Sequence, residues 1–321
     1  MTEDAAKEGG AAPEERSVFE DIHPRTLEFY RRVLHLARDS GIPFMVGGAF
    51  ALRHYTGIER WTKDFDLFIR PGDYERLQEV LTRTGYRRED TDHWLGKAFD
   101  GDEFVDIIFS SGNGVARVDD EWLANAVEGE ALGERVPLIP VEEMIWSKGF
   151  VMERERFDGH DVVHLIRSQG SRLDWDRLLR RFGDQWPVLL QHLLLFRYVF
   201  PGDRHAIPEA VMTELLGRLQ RQEADLTAAP PTCRGRFVSQ TQYRTALERW
   251  GYADGMQNGA GPGGPAGPTR IAGTDQGART DEGVRTDPQP GAAAESQRAG
   301  REGRSAAAAA NARRSGGGSA R

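Results

Sequence analysis

Residues 44–69 read FMVGGAFALRHYTGIERWTKDFDLFI, and this stretch decides the fold. Phe44-Met45-Val46 is a short apolar run closed by Gly47-Gly48, the pattern of a buried strand that ends in a tight turn. Ala49–Tyr55 continues as the first turns of a helix. Thr56-Gly57 stops it, because glycine takes the left-handed C-cap conformation. Thr62–Ile69 reads as a second strand. Side chains alternate along a strand, so Asp64 and Asp66 face one way while Phe65 and Leu67 face a core.

Aspartate is depleted in strands, and two on one face repel unless a cation lies between them. Mg²⁺ suits that place, as a hard ion that takes carboxylate oxygens and shares itself with substrate phosphates. Glu103–Phe109 (EFVDIIF) supplies a third carboxylate, Asp106, inside an apolar strand where an unpaired charge is costly. The same residues allow plainer readings. Asp64 and Asp66 could end a solvated strand, and Asp106 could be the buried partner of Arg53 or Arg60. Gly47-Gly48 could be a mere turn. Beside the carboxylates it suits a phosphate cradle better, because glycine lets backbone approach phosphate and a helix N-terminus favours anions.

Gly47-Gly48, Asp64-x-Asp66 and a lone Asp106 on a later strand together resemble the nucleotidyltransferase superfamily of the DNA polymerase beta type. Fifteen residues separate Gly48 from Asp64. The extra length, with Arg60 and Thr62 just before the aspartates, is similar to AbiEii-type toxins and related bacterial nucleotidyltransferases. The resemblance implies an α+β fold, a minimal mixed sheet with flanking helices. It also implies transfer of a nucleoside monophosphate from an NTP to an acceptor. Asp64, Asp66 and Asp106 would hold two Mg²⁺ ions, and Gly47, Gly48, Arg60 and Lys148 would meet the nucleotide. Relatives of the AbiEii type place a lysine on a helix after the catalytic sheet, and Lys148 matches it best. Arg154-x-Arg156 and Asp158-x-x-Asp161 follow. The implied acceptor is tRNA or protein for a toxin, with an antitoxin protein as partner, or a small hydroxylated molecule for an antibiotic-type enzyme. A binding module without turnover would have lost a carboxylate, and none is lost.

The chain has 321 residues, a net charge of −8 and 39% hydrophobic residues. From Asp254 onward it is low in large apolar residues, with seven acidic residues and nine arginines. That leaves about −10 on residues 1–253, which argues against generic nucleic-acid binding driven by phosphate neutralisation. Cys233 is the only cysteine, so no intrachain disulfide forms and a reducing compartment fits. Residues 1–17 lack the basic and apolar regions of a signal peptide. Val188–Phe200 is too short and polar for a membrane span. The expectation is a cytoplasmic protein without membrane contact.

Four segments follow from these patterns: residues 1–17 disordered, 18–140 a catalytic domain, 141–252 a helical domain and 253–321 a disordered low-complexity tail. Pro24–Ser40 has helical apolar spacing, as does Pro71–Thr84. His93–Phe99 and Glu103–Ser110 read as strands joined by the hairpin signal Asp100-Gly101-Asp102, and Val136–Ile139 as a last strand. Helices are expected over 141–156, 160–168, 174–182, 186–200, 208–225 and 236–250. The almost wholly apolar segment 186–200 is expected at the centre of the helical domain.

Several residues carry plainer readings beside the functional one. Lys148 could pair at the surface with Glu142, Glu143 or Asp161. Arg154, Arg156, Asp158 and Asp161 could be a helix-surface ion-pair set. His160 and His164 have zinc spacing but no supporting ligands. His192 reads as a satisfied core histidine.

Overall fold

The computed structural model describes residues 22–60, 62–227 and 230–256. The expected disorder of 1–17 and most of the expected disordered tail lie outside them.

A seven-stranded mixed sheet forms the centre. Its strands are β1 (Met45–Val46), β2 (Asp66–Phe68), β3 (Arg87–Asp92), β4 (Leu95–Asp100), β5 (Glu103–Ile108), β6 (Val127–Ala131) and β7 (Glu134–Leu138). The order is β3-β4-β5-β2-β1-β7-β6. β2 runs parallel to β5 and β1 parallel to β7, while the β1–β2, β3–β4, β4–β5 and β6–β7 pairs are antiparallel. Helices flank the sheet, as the α+β expectation has it. α1 (Pro24–Asp39) packs on α3 (Tyr74–Arg83) and on β5. α2 (Gly48–Thr56) packs on β6 and on α6 (Gly159–Gln169).

The local rules hold where the apolar pattern is clear. α1 buries Phe29, Tyr30, Val33, Leu34 and Ala37 along one stripe. α2 ends at Gly57 in the left-handed conformation, φ 70°. Phe65, Leu67 and Ile69 are fully buried and alternate with partly exposed Asp66 and Phe68.

The helices after the sheet are α5 (Val141–Gly149), α6, α7 (Trp175–Phe182), α8 (Trp186–Val199) and α9 (Glu209–Ala224). The apolar core runs without a break from Phe29 on α1 to Leu215 on α9. His192 is buried, with its Nε2 2.7 Å from the Gly149 carbonyl oxygen. Among the described residues no helix is long and apolar enough to cross a membrane.

Several expectations are corrected. The strand expected over 62–69 is ladder-paired only at 66–68. The Thr62 hydroxyl bonds the Asp64 backbone at 3.1 Å instead, a local competitor of sheet pairing. The helix expected to reach Arg156 ends at Gly149. Beyond it Met152 bridges Phe157, and Met152 N donates to the Val238 carbonyl at 3.0 Å. The expected helix over 236–250 shrinks to α10 (Arg244–Glu248). Ala253-Asp254 pairs with Thr232-Cys233, so ordered chain reaches past the expected start of the tail. α8 is not enclosed all round, since Leu194 and Tyr198 are 50% and 85% exposed. The charged edge strand β3, β6 and the short helix α4 (Asp120–Ala124) carried no apolar period to announce them.

Candidate active site

The Gly-Gly turn and the first strand pair build one wall. Gly47 N donates to the Asp66 carbonyl at 3.0 Å, which brings the start of α2 onto β2. Gly48 has φ +57°, and a Cβ there would lie 1.8 Å from Asp66 Oδ2. The Asp66 carboxylate therefore rests on the glycine backbone at the N-terminal turn of α2. The first turn of a helix carries amides without intrahelical partners and a positive dipole end, a setting that suits anions.

β2 and β5 place Asp66 in register with Asp106. Asp106 N also donates to the Phe65 carbonyl at 2.9 Å. On its other side Asp106 meets Lys97 of β4, with Lys97 Nζ 2.8 Å from Asp106 Oδ1. Neither Arg53 nor Arg60 is the partner of Asp106. Arg53 pairs with Glu59 at 3.0 Å, and Arg60 pairs with Asp161. Asp64 is exposed and lies outside the ladder, so strand alternation does not fix its direction. Its neighbour Lys63 is tied down by Tyr30, whose hydroxyl donates to the Lys63 carbonyl at 2.7 Å. The Tyr30 ring stacks on Phe65 at 5.2 Å.

The carboxylates feel one another. Burial, then Asp106 and Asp64, push Asp66 up to about 7, while Lys148 and Arg156 oppose the rise. Asp106 is raised by burial and by Asp64, against the pull of Lys97. Tyr30 is raised by burial and by Glu103, Asp64, Asp66 and Asp106, so its hydroxyl stays a donor. Mutual repulsion of this kind fits a site for a cation. Among the described residues, no group of three or more His, Cys, Asp or Glu side chains stands in a metal-holding arrangement. Asp106 is turned to Lys97.

A second cluster faces Asp66 from the helical side. Lys148, at the end of α5, donates to Asp158 at 3.1 Å and to Asp161 at 2.8 Å. It is 17% exposed, and it does not pair with Glu142 or Glu143, which take Arg177 and Arg181 instead. Arg156 joins Asp158 at 3.0 Å, and Arg60 joins Asp161, with His160 3.1 Å from Arg60. Burial would raise both aspartates. The cations outweigh it, and both are held below the usual range. Of the expected surface ion-pair set only the carboxylates are interior. Asp158 and Asp161 are buried, whereas Arg156 stays exposed and Arg154 bonds Gln242 at the surface instead. His164 stands apart, 6.2 Å from the Phe200 ring.

Lys97 and Tyr30 were not among the sequence candidates. Lys97 had a signal, since counting back from the Asp100-Gly101-Asp102 hairpin pairs position 97 with 106. Tyr30 had none, because its partner lies 33 residues away.

The sequence model of the family described as "Uncharacterised nucleotidyltransferase" matches residues 25–198, more than half of the chain. No curated protein matches significantly. Solved structures with similarity include that of the antibiotic-resistance factor ANT(2'')-Ia, at 19% identity over 52% of this chain and 96% of that one, TM-score 0.37. The lincomycin-bound lincosamide antibiotic adenylyltransferase LnuA is 18% identical over 45% of this chain and 96% of its own, TM-score 0.32. An antigenic nucleotidyltransferase-like protein from Paracoccidioides brasiliensis is 15% identical over 53% and 92%, TM-score 0.30. Likeness at this level carries no acceptor across.

Proposed function

Since the chain belongs to this nucleotidyltransferase family, we propose that it moves a nucleoside monophosphate from an NTP to an acceptor hydroxyl and releases pyrophosphate. The observation that carries this reading is the Asp66 carboxylate seated on Gly48 and in register with Asp106. In this reading Asp64, Asp66 and Asp106 hold Mg²⁺, two ions in the working complex. When bound, the ions supply positive charge to the attacking oxygen and to the leaving pyrophosphate.

The chain's own residues do the positioning on which such transfers rest. The Gly47-Gly48 turn sets the start of α2, whose amides suit a phosphate, beside the Asp66 carboxylate. Lys148 and Arg156, both near enough to lower the Asp66 pKa, offer cationic groups to the triphosphate. Arg60 acts through Asp161, which it shares with Lys148. Asp106 orients the acceptor hydroxyl and takes its proton.

Incubating the protein with Mg²⁺, each α-labelled NTP and cell extract tests the reading. Label should pass to one acceptor class, and Asp66→Asn should abolish it. Labelled tRNA or protein would mark a toxin of the AbiEii type, and an antitoxin would then be sought. A labelled small hydroxylated molecule would mark an antibiotic-type enzyme. Wild type labelling nothing beyond the Asp66→Asn background would overturn the reading.

A further inference from the structure

Three adjacent strands place one ionisable side chain each in a single cross-strand row. Asp66 on β2 is in register with Asp106 on β5, and Asp106 with Lys97 on β4. Register partners share a face of the sheet. Lys97 is fixed in the row at two points. Its ammonium lies 2.8 Å from Asp106 Oδ1 and 3.8 Å from the centroid of the Phe104 ring, and the side chain is only 19% exposed. Phe104 precedes Asp106 by two residues and so stands on the same face. Ring and carboxylate together hold the ammonium, one through its π-face and the other through its charge.

This cation has a consequence for how the site fills. Lys97 places a fixed positive charge on the Asp106 side of the three carboxylates, while Lys148 and Arg156 act on Asp66 from the helical side. A second ion approaching Asp106 would meet the repulsion of the ammonium, which lies 2.8 Å from Asp106 Oδ1. A nucleotide changes that balance, because its triphosphate adds negative charge and further oxygen ligands.

We propose that Lys97 is a built-in counter-ion of Asp106 that limits the nucleotide-free site to one divalent cation, held on the Asp64–Asp66 side, with the second entering only beside the nucleotide. This rests on the metal-dependent reading given above. It makes Lys97 a positioning residue that acts through Asp106. An ion pair that merely neutralises a buried carboxylate would stabilise the fold without setting the number of ions.

Mn²⁺ counts the sites directly. The full chain is titrated with Mn²⁺ and free ion is read by electron paramagnetic resonance, without nucleotide and then with a non-hydrolysable ATP analogue. Wild type should bind one ion per chain alone and two with the analogue. Lys97→Met should bind two without nucleotide, and Lys97→Arg should return to one. Wild type taking two ions without nucleotide overturns the proposal whether or not any variant folds. So does a folded Lys97→Met, checked by its melting curve, that still takes one. If wild type binds no Mn²⁺ even with the analogue, or Asp66→Asn binds as wild type does, the metal-dependent reading itself fails.

Discussion

A side-chain carbon at position 48 would lie 1.8 Å from Asp66 Oδ2, so Gly48 and Asp66 form one unit of the site. Gly48→Ala meets two obstacles at once. Its φ of +57° strains any L side chain by about 1 kcal/mol or more, and the methyl group must push the carboxylate off its place. We expect a melting temperature lower by several degrees and transfer reduced at least 100-fold, since small displacements of a catalytic group are costly. Thermal melting and the labelling assay read both.

Asp66 sets a pH dependence. Its ordinary pKa is 3.8 and in the fold it is pushed up to about 7. The folded state therefore binds the proton more tightly than the unfolded chain. The associated stability is present below about pH 4 and is lost as pH rises through about 7. Allowing for partial exposure, this amounts to about 1–3 kcal/mol. Without metal, the melting temperature of wild type should fall relative to Asp66→Asn between pH 5 and 8. Mg²⁺ should raise it again in wild type alone. Parallel melting curves for both proteins across that range would sink the prediction.

Lys148 is expected to affect fold and nucleotide together. Lys148→Ala leaves Asp158 with Arg156 and Asp161 with Arg60. Each buried carboxylate keeps one cation, so the cost should be about 1–3 kcal/mol rather than the larger penalty of an orphaned charge. Calorimetric titration with a non-hydrolysable NTP and Mg²⁺ should show affinity reduced about tenfold. An unchanged dissociation constant would assign Lys148 to the ion network alone.

Tyr30→Phe keeps the ring on Phe65 and removes only the hydroxyl that holds the Lys63 carbonyl. The stability cost should be about 1 kcal/mol. The Mg²⁺ concentration for half-maximal transfer should rise several-fold, because Asp64 follows directly on the released peptide. A shift in melting alone, with no change in the Mg²⁺ midpoint, would limit Tyr30 to packing.

Truncation should separate the tail from the body. A chain ending at Met256 should melt with the full-length protein, because residues 257–321 contain few large apolar side chains to offset ordering entropy. A chain ending at Gly251 should melt lower. It loses the Asp254 partner of Arg236, 2.6 Å away, and the Ala253–Thr232 pairing.

The sequence by itself determined what depends on near neighbours. The β1–turn–α2 unit follows from an apolar run, two glycines and a helix stop at Gly57. The β4–β5 hairpin follows from Asp100-Gly101-Asp102. The alternation of Phe65, Leu67 and Ile69 fixed the buried side of β2, because a one-residue slip would have exposed it. The family pattern of glycines and aspartates lies in this same local stretch.

Only the tertiary structure decided which charge meets which. Asp106 took Lys97 rather than Arg53 or Arg60, and Lys148 took Asp158 and Asp161 rather than the glutamates of its own helix. Tyr30 reached Lys63 across 33 residues. β3 and β6 formed from polar sequence because neighbouring strands supplied the ladder. Apolar periodicity is written along the chain and can be read from it. The partner of a buried charge is chosen by distance in space and by the cost of leaving that charge alone, and neither is known until the chain has folded.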